Sequence, residues 1–377
     1  MTTAFVHGRI LAPEGICSGK TLLCDNGRIT AIVAENEVPS GAAIIDLGGN
    51  TLLPGFIDVQ VNGGGSVLFN NTPTVDGLAT IAKAHARFGT TALMPTVIST
   101  DLDGIAECIA AVDAAIAAGV PGITGIHIEG PYLSPKRRGI HNPKAFPKLD
   151  AAAIAVLSSL KHGKTMVTMA PDVTTPQDVK ALTQAGVIVC IGHSDASYEQ
   201  AKAALQAGAR GFTHLYNAMS PLNHRAPGVV GAALDDRDSW CGIIGDGHHV
   251  HPAALRIAYA ARGARKLMLV TDAMPPVGGE PTFVLQGRTI TTKDGCCYGP
   301  DGTIAGSATD MATIVKKTAG YLNIDLPTIS RLASTNAAEF LGLEKDYGVI
   351  APGARADLVL VNDALELVDT FIGGSVP

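Results

Sequence analysis

The sequence predicts an α/β protein whose main domain is a (β/α)8 TIM-type barrel, joined to a small β-sandwich domain built from both chain ends. Three observations support this prediction: eight apolar, β-rich runs in the middle of the chain, Ala-rich amphipathic segments between them, and short turn-rich strands at both ends. A chain of 377 residues is long enough for one large barrel or for two ordinary domains. An open, doubly wound parallel sheet is the alternative architecture.

The small domain is predicted from residues 1–53 and 346–377. The first fifty residues contain short runs of β-forming residues bounded by Gly, Asn or Asp, and Asn26-Gly27 is a strong hairpin signal. The last residues return to the same pattern in GVIAPGARADLVLVNDALELVDTFIGG. The two ends are therefore expected to form one β domain, with residues 54–345 inserted as the barrel.

The barrel is predicted from eight successive units of a buried strand followed by a connecting segment. Near-continuous apolar strands that alternate with helices are typical of a parallel sheet covered on both sides. Helices are predicted over 76–88, 103–118, 151–161, 175–185, 196–207 and 252–262. The predicted strands lie in TLLPGFIDVQVNG, TTALMPTVIST, ITGIHIEGP, TMVTMAPD, VIVCIGHS, GFTHLYNAM, WCGIIGDGHHV and KLMLVTDAM.

The composition argues against several classes of function. The formal net charge is −6 and charged residues make up 16% of the chain, so no basic field would attract nucleic acid. No apolar run approaches the length of a membrane span, and the first residues lack the pattern of a secretory signal. The seven cysteines are scattered without C-x-x-C spacing, which is typical of reduced thiols. We therefore expect a cytoplasmic protein that binds neither nucleic acid nor membrane.

Side chains capable of chemistry recur where the predicted strands end. Catalytic groups of such a barrel lie at the carboxyl ends of its strands, so these residues are expected to share one rim. A single histidine at a strand end is as often a hydrogen-bonded structural residue as a functional one, but the recurrence favours a site. The residues are Gln60, Asn62, Glu129, His193, His214, Asp246, His248, His249 and Asp272.

Glu129, His193 and His214 form a candidate ligand set for a zinc-like cation. Two imidazoles and one carboxylate leave a coordination position open, as in catalytic zinc sites. The three residues are 64 and 21 positions apart, too far for a local motif, so the prediction depends on the barrel bringing them together. Asp272 is the candidate base for an attacking water molecule, and a helix N-cap is its alternative role.

Anion binding is indicated only by isolated features. The sequence contains neither GxxxxGK[ST] nor GxGxxG, so phosphate binding through those loops has no support. Glycine-rich turns such as NGGGS and GDGH allow backbone N–H groups to approach an anion. Arg225 in NHRAPG is a candidate clamp for one phosphate group, although an isolated arginine is more often a surface ion-pair residue.

Eight short motifs follow one another from about residue 50 to residue 310: LLPGFIDVQVNG, GIHIEGPY, GIHNP, IGHSDA, THLYNAMSPL, DGHHV, LVTDAM and GTIAGS. With them the chain resembles the N-acetylglucosamine-6-phosphate deacetylase family of the amidohydrolase superfamily. The flanks GRITAI and PGARADLVLVN are similar to the small β-sandwich domain of that superfamily. The resemblance implies a metal-dependent hydrolase that converts N-acetyl-D-glucosamine 6-phosphate to D-glucosamine 6-phosphate and acetate, in amino-sugar catabolism or cell-wall recycling.

The resemblance also implies roles for individual residues. Glu129, His193 and His214 fall on the family's metal ligands, and Asp272 falls on its catalytic acid/base. His141 matches the histidine that holds the substrate and polarises its carbonyl group. The implied mechanism is attack of a water molecule on the acetamide, with Asp272 removing the proton of the water and returning it to the amine.

Further residues are implied in holding the sugar phosphate. Arg225 is expected to come from the neighbouring subunit of a homodimer or of a dimer of dimers. The histidine that contacts phosphate is left open among His224, His248, His249 and His251. The implied substrate-binding residues are Ile140, Asn217, Ala218, Arg225, His248, His249, Ile304, Ala305 and Gly306.

Gln60 and Asn62 occupy a position after the first strand where many amidohydrolases carry H-x-H and bind a second metal ion. Amides are poor ligands for zinc compared with imidazole, so we expect one divalent metal ion rather than two. Zn²⁺ is the expected metal, and Fe²⁺, Co²⁺ or Mn²⁺ suit the same ligands.

Two alternative functions remain on the sequence. The first is another amidohydrolase that acts on a cyclic amide or on a different N-acetylated sugar, which would share the metal site but not the phosphate contacts. The second is a barrel that binds a sugar phosphate without catalysis. Loss of a ligand or of the base would favour the second alternative, and all four of these residues are present.

Overall fold

A computed structural model describes residues 2–377, without the side chain of Ala145. Its largest element is a sheet of eight parallel strands that curls into a barrel, with each strand paired to the next one along the chain. This arrangement confirms the predicted barrel, and each predicted run contains one of the strands. They span Phe56–Val61, Thr90–Ile98, Gly125–Glu129, Lys164–Met169, Ile188–Ile191, Gly211–Phe212, Trp240–Ile243 and Leu267–Leu269.

Asp58 ties the first barrel strand to the chain that follows the last one. Its buried carboxylate accepts a hydrogen bond from the Thr271 hydroxyl at 2.5 Å and from the Thr271 backbone N–H at 3.3 Å. One parallel bridge between Val61 and Ala273 completes this seam. Burial raises the pKa of Asp58 to about 7, against the lowering effect of the Thr271 hydrogen bond. The seam places the ends of the first and eighth strands, and therefore Asn62 and Asp272, side by side.

Helices cover the outside of the barrel, and side-chain caps begin several of them. Asp101, Thr175 and Ser197 each accept a hydrogen bond from the backbone N–H three residues later, which stabilises the first helical turn. The α-helices span Val75–Ala86, Leu102–Ala117, Ala151–Leu157, Pro176–Gln184, Tyr198–Gln206, Gly228–Asp235, Pro252–Arg262, Met311–Leu322, Leu326–Ser330 and Asn336–Leu341. A π-helical turn spans Arg331–Thr335, and 3-10 turns span Glu35–Glu37, Pro135–Arg137 and Pro143–Ala145.

Five of these helices differ from the sequence prediction: one is shorter than predicted, and four were not predicted, namely Gly228–Asp235, Met311–Leu322, Leu326–Ser330 and Asn336–Leu341. The helix predicted over 151–161 ends at Leu157, because the Ser158 hydroxyl bonds back to the Ile154 carbonyl at 2.8 Å and competes with further helical bonds. The sixth crossover helix, Gly228–Asp235, is not among the predicted ones. Residues 228–234 are all buried, so this helix has no alternating polar face to reveal it.

A four-stranded antiparallel meander follows the eighth barrel unit and was not predicted as such. Its core includes Leu285, Ile290 and Cys297, which pack against Ile140 and Met274 beside the mouth of the barrel. It therefore brings chain from residues 304–307 to the rim where the predicted site residues lie. Its strands span Thr282–Leu285, Arg288–Lys293, Cys296–Tyr298 and Ile304–Ser307.

The small domain is a β-sandwich of a four-stranded and a five-stranded sheet, as predicted. Phe5 and Phe371, one from each chain end, meet edge to face in its core with ring centroids 5.0 Å apart. Its strands span Thr3–Val6, Arg9–Ala12, Gly15–Ser18, Lys20–Asp25, Arg28–Ala34, Ala43–Asp46, Thr51–Pro54, Leu358–Val361 and Leu367–Phe371, and a separate hairpin at the barrel rim pairs Gly63–Gly64 with Val67–Leu68.

All seven cysteines are free, as expected for reduced thiols. None of the helices formed by residues 2–377 is long and apolar enough to span a bilayer.

Candidate active site

The candidate active site is a cavity of about 390 Å³ at the carboxyl ends of the barrel strands. The loop of residues 130–141, which follows the third strand and is called the third-strand loop below, and the last strand of the meander contribute to its wall. The cavity is lined by Asn62, Ile98, Glu129, Lys136, Arg137, Gly139, Ile140, His141, His193, His214, Asn217, Ala218, His249, Asp272, Met274, Thr303, Ile304, Ala305 and Gly306.

Glu129, His193 and His214 converge on one point in this cavity. Glu129 Oε1 lies 2.9 Å from His214 Nε2 and 3.3 Å from His193 Nε2, and the two ring nitrogens are 3.0 Å apart. Two ligands of a tetrahedral zinc ion, each about 2.0 Å from it, lie roughly 3.3 Å apart, so these separations fit a shared metal ion. Burial raises the pKa of Glu129, but the close contacts with His193 and His214 outweigh burial and hold it well below its usual range. The site therefore presents an ionised carboxylate and two imidazoles to a metal ion.

The backbone is strained at three residues of the site, which is typical of functional residues rather than of residues that only pack in the core. His193, His214 and Asp272 have φ values of 46°, 31° and 51°, in the left-handed region that non-glycine residues rarely adopt. Such conformations cost free energy and cluster at active sites, where they orient a side chain. Here the strained residues are two metal-ligand candidates, His193 and His214, and the candidate base, Asp272.

The third-strand loop fixes the orientation of His193. The Nδ1–H of His193 donates to the Arg137 carbonyl at 2.8 Å, which leaves Nε2 free to face a metal ion. The Ser134 backbone N–H donates in turn to the His193 carbonyl at 2.9 Å. Asp195 holds the same loop through Arg137 Nε at 2.9 Å and Lys136 Nζ at 3.2 Å. The loop and the fifth strand therefore position the ligand together.

Asp272 is held by the two amides of the first strand. Its Oδ1 accepts a hydrogen bond from Asn62 Nδ2 at 2.7 Å and from Gln60 Nε2 at 3.2 Å. Gln60 Nε2 also donates to Glu129 Oε1 at 3.1 Å. Burial, reinforced by the negative charge of Glu129, raises the pKa of Asp272. In this structure the amides act as donors that orient carboxylates, and a second metal ion would find no imidazole at their position.

His141 reaches the cavity from the third-strand loop and is neutral. Burial, reinforced by nearby His193, lowers its pKa to about 3. The Ser99 backbone N–H and hydroxyl lie 3.3 Å and 2.8 Å from Nδ1. Because the backbone N–H can only donate, Nδ1 accepts and the ring proton resides on Nε2. That Nε2 lies 3.8 Å from Glu129 Oε2, so its N–H is placed to donate to a ligand beside the metal-ligand candidates.

The cavity contains most of the predicted residues and lacks Gln60, Arg225, Asp246 and His248. Gln60 lies outside the lining and acts through Glu129 and Asp272. Arg225 and His248 are exposed and do not line the cavity of their own chain. Four histidines were left open as the phosphate contact, and His249 is the one that lines the cavity. His224 and His251 are exposed, like His248. The predicted residues in the lining are Asn62, Glu129, Ile140, His141, His193, His214, Asn217, Ala218, His249, Asp272, Ile304, Ala305 and Gly306.

Sequence reasoning missed six residues of the lining. Lys136 and Arg137 belong to a run of three basic residues just before GIHNP, and this local charge in a chain of low charge content was an available signal. No comparable signal distinguishes the remaining residues, because their proximity to the site depends on the loop and the meander. The missed residues are Ile98, Lys136, Arg137, Gly139, Met274 and Thr303.

Asp246, His249 and Cys296 form a second cluster of potential ligand atoms. His249 Nδ1 lies 2.6 Å from Asp246 Oδ2, and Cys296 Sγ lies 3.8 Å from the same nitrogen. The nitrogen–oxygen distance is well below the roughly 3.3 Å expected for two ligands of one tetrahedral ion. It fits a charge-assisted hydrogen bond, so the cluster is better described as an ion pair that holds a proton.

The charge on His249 should contribute to stability over a defined range of pH. Burial alone lowers the pKa of His249, but the hydrogen bonds and charges of Asp246 and Cys296 outweigh burial and raise it to about 10. Because the folded-state pKa exceeds the unfolded value of about 6.5, the contribution is complete below about pH 6.5 and is lost as the pH rises through about 10. The difference in Tm between the wild-type protein and His249→Gln is therefore expected to shrink between about pH 6 and pH 10. His224→Gln, in an exposed loop, controls for histidine replacement, and a difference that grows over this interval would contradict the ion pair.

Comparisons with known proteins identify the family and the fold of the chain. The family model described as the amidohydrolase family matches residues 51–376. The chain is 42% identical over 327 residues to an N-acetylgalactosamine-6-phosphate deacetylase of Shewanella sp. (strain ANA-3), covering 86% of this chain and 83% of the relative. It is 35% identical over 354 residues to an N-acetylglucosamine-6-phosphate deacetylase of Haemophilus influenzae, covering 93% and 92%. The crystal structure of N-acetylglucosamine-6-phosphate deacetylase from Pasteurella multocida superposes with a TM-score of 0.96 over all of both chains at 34% identity.

Proposed function

The chain belongs to the amidohydrolase family and is a hydrolase of carbon–nitrogen amide bonds, and we propose that its substrate is N-acetyl-D-glucosamine 6-phosphate. The products would be D-glucosamine 6-phosphate and acetate. One observation carries the proposal: the three metal-ligand candidates, the base candidate Asp272 and the neutral donor His141 line a single cavity. Relatives that deacetylate N-acetylated sugar phosphates supply the substrate class.

The donor set fits a divalent metal ion, and Glu129, His193 and His214 are the residues that would hold it. A bound divalent ion polarises a carbonyl group and lowers the pKa of water. Two imidazoles and one carboxylate are typical of catalytic zinc sites, so we propose Zn²⁺ as the native metal. Iron, cobalt and manganese accept the same ligands, and metal analysis of the purified protein distinguishes among them.

The chain's own residues would carry the proton transfers. Asp272 lies on the cavity and would take a proton from the attacking water, then return it to the amine nitrogen as the amide bond breaks. Its raised pKa brings it nearer to the working pH, which suits a group that both accepts and donates a proton. The Nε2–H of His141 would donate to the acetamide carbonyl oxygen, where negative charge develops.

The remaining cavity residues would hold the sugar and its phosphate. Asn217, Ala218 and His249 line the cavity, together with residues of the third-strand loop and of the last meander strand. Ala218 has a φ of 51°, a strained conformation of the kind that lets a backbone approach a ligand. Ile140, Ile304, Ala305 and Gly306 would border the sugar ring.

We further propose that the protein acts in the cytoplasm as a homodimer or as a dimer of dimers. Arg225 lies outside the cavity of its own chain, in an exposed loop, and would serve the site of a neighbouring subunit. His248 is exposed near the same rim and would be a second residue able to meet a neighbour. Seven unpaired cysteines support a reducing compartment.

A comparison of three substrates tests the proposed function. Metal-loaded protein is assayed for acetate release from N-acetylglucosamine 6-phosphate, N-acetylgalactosamine 6-phosphate and unphosphorylated N-acetylglucosamine. We expect kcat/KM for the glucosamine phosphate to exceed that for the unphosphorylated sugar by at least about 100-fold, because desolvated charge pairs contribute strongly to recognition. Release from none of the three would overturn the proposal. A preference for the galactosamine phosphate would assign the C4 epimer instead, in agreement with the 42% identical relative.

A further inference from the structure

The turn after the seventh barrel strand is organised by one buried carboxylate. Asp246 is fully buried, and its Oδ1 accepts the backbone N–H groups of His248 and His249, each at 2.9 Å. Its Oδ2 lies 2.6 Å from His249 Nδ1. Lys317 Nζ, from the helix Met311–Leu322 that follows the meander, donates to the Asp246 carbonyl at 3.1 Å and steadies the same turn. One side chain therefore fixes both the backbone and the ring of His249.

The other nitrogen of this ring has no partner within residues 2–377. The side chain of His249 is only 2% exposed, and its Nε2 makes no hydrogen bond there. A buried N–H without an acceptor costs free energy, so an acceptor supplied by a ligand would be favoured. Because the ring lines the cavity, this acceptor would enter with the molecule that fills the cavity.

The electrical surroundings favour an anionic acceptor. Asp246 keeps the His249 ring charged, and Cys296 Sγ is the neighbour from the meander at 3.8 Å. Asp272, which also lines the cavity, carries the opposite charge. Lys136 and Arg137 also line the cavity, but Asp195 engages both of them. His249 is therefore a cationic lining residue that still has a free N–H donor.

We propose that Asp246 is a positioning residue for phosphate recognition, which aims the charged Nε2–H of His249 at the substrate phosphate. This inference rests on the proposed function, because it requires a phosphorylated substrate. Asp246 does not itself line the cavity, so its effect would pass entirely through His249. It would contribute to binding of the phosphate and leave the chemistry at the acetamide unchanged.

Asp246→Asn tests the proposal, with Asp236→Asn as a matched control. Asp236 precedes the same strand and also accepts two backbone N–H groups that follow it, from Asp238 at 3.1 Å and Ser239 at 2.8 Å, but it lies outside the cavity. For metal-loaded Asp246→Asn we expect KM for N-acetylglucosamine 6-phosphate to rise by about 10- to 100-fold while kcat changes by less than about threefold. Competitive inhibition by inorganic phosphate should weaken by the same factor. Asp236→Asn should leave both quantities unchanged.

A second variant distinguishes positioning from general destabilisation. His249→Gln should raise the same KM, and the double variant should add nothing further, because both changes remove one interaction. In both single variants, kcat/KM for the unphosphorylated sugar should fall by much less than kcat/KM for the phosphorylated sugar. An equal rise of KM for both sugars, a fall in kcat alone, or unchanged phosphate inhibition in His249→Gln would overturn the inference. Absence of any acetate release by the wild-type protein would instead contradict the proposed function. The role of Asp246 could then still be tested by calorimetry, which measures the binding of inorganic phosphate without any turnover.

Discussion

Replacing Asp272 with Asn is expected to lower kcat for acetate release by about 10²- to 10⁴-fold, while the metal content of the protein stays the same. Asn has nearly the same shape as Asp, and its carbonyl oxygen can still accept from Asn62 and Gln60, so the fold should tolerate the change. An amide cannot take up the proton of the attacking water or return it to the amine. The loss should therefore appear in kcat much more than in KM.

Asp294→Asn is the matched control for this experiment. Asp294 has the same φ of 51° as Asp272, but it is exposed in the turn between two meander strands. Because Asn tolerates the left-handed region as well as Asp does, both substitutions make the same demand on the backbone. The control should retain normal turnover. Near-normal kcat in metal-loaded Asp272→Asn would remove Asp272 from the role of acid and base.

The second large effect is expected for Glu129→Gln, which should lose the bound metal ion and with it the activity. Glu129 Oε1 is the atom that both histidine Nε2 atoms approach, so its replacement by a weakly coordinating amide removes the charged ligand from the centre of the set. Loss of a residue that merely supports a ligand weakens metal binding by about 10- to 100-fold, and loss of the ligand itself should exceed that range. Metal analysis after dialysis and an acetate-release assay measure the two effects.

Thermal unfolding provides a further measure of the same metal ion. Binding to the folded state alone stabilises it by about 2.7 kcal/mol when the free metal is 100 times its Kd, so a chelator should lower the Tm of the wild-type protein. The Tm of Glu129→Gln should respond much less to the chelator. Glu107→Gln, at an exposed position of the second helix, should behave like the wild type. Full metal occupancy in Glu129→Gln would exclude Glu129 from the ligand set.

The barrel itself could be predicted because its signal is local. Apart from half-buried Lys164, every residue of the eight strands is buried, so apolar β-forming residues follow one another without a polar alternation. The sixth helix and the meander could not be recognised in the same way. Residues 228–234 are buried on every side, and the meander strand Thr282–Leu285 is largely exposed, so neither shows the periodic pattern of its class.

The chemistry of the site could also be predicted from the sequence, but the geometry of the site could not. Carboxylate, imidazole and amide side chains at strand ends indicated the kind of site, since strand ends of a barrel share a rim. Nothing local to Gln60 or Asn62 shows that their amides donate to Glu129 and Asp272. Likewise, the contact of the Arg137 carbonyl with His193 joins residues that are 56 positions apart.

The sequence by itself determined the eight-stranded barrel, the β-sandwich of the chain ends and the residue types available for catalysis. These properties follow from composition and from periodicity over a few residues, which burial of each strand imposes directly. Only the tertiary structure decided that Glu129, His193 and His214 meet within 3.3 Å, that His249 turns one nitrogen to Asp246 and the other to the cavity, and that Arg225 lies elsewhere. The physical reason is that closure of the barrel brings together strand ends that are far apart in the chain, while loop and turn hydrogen bonds then set the direction of each side chain.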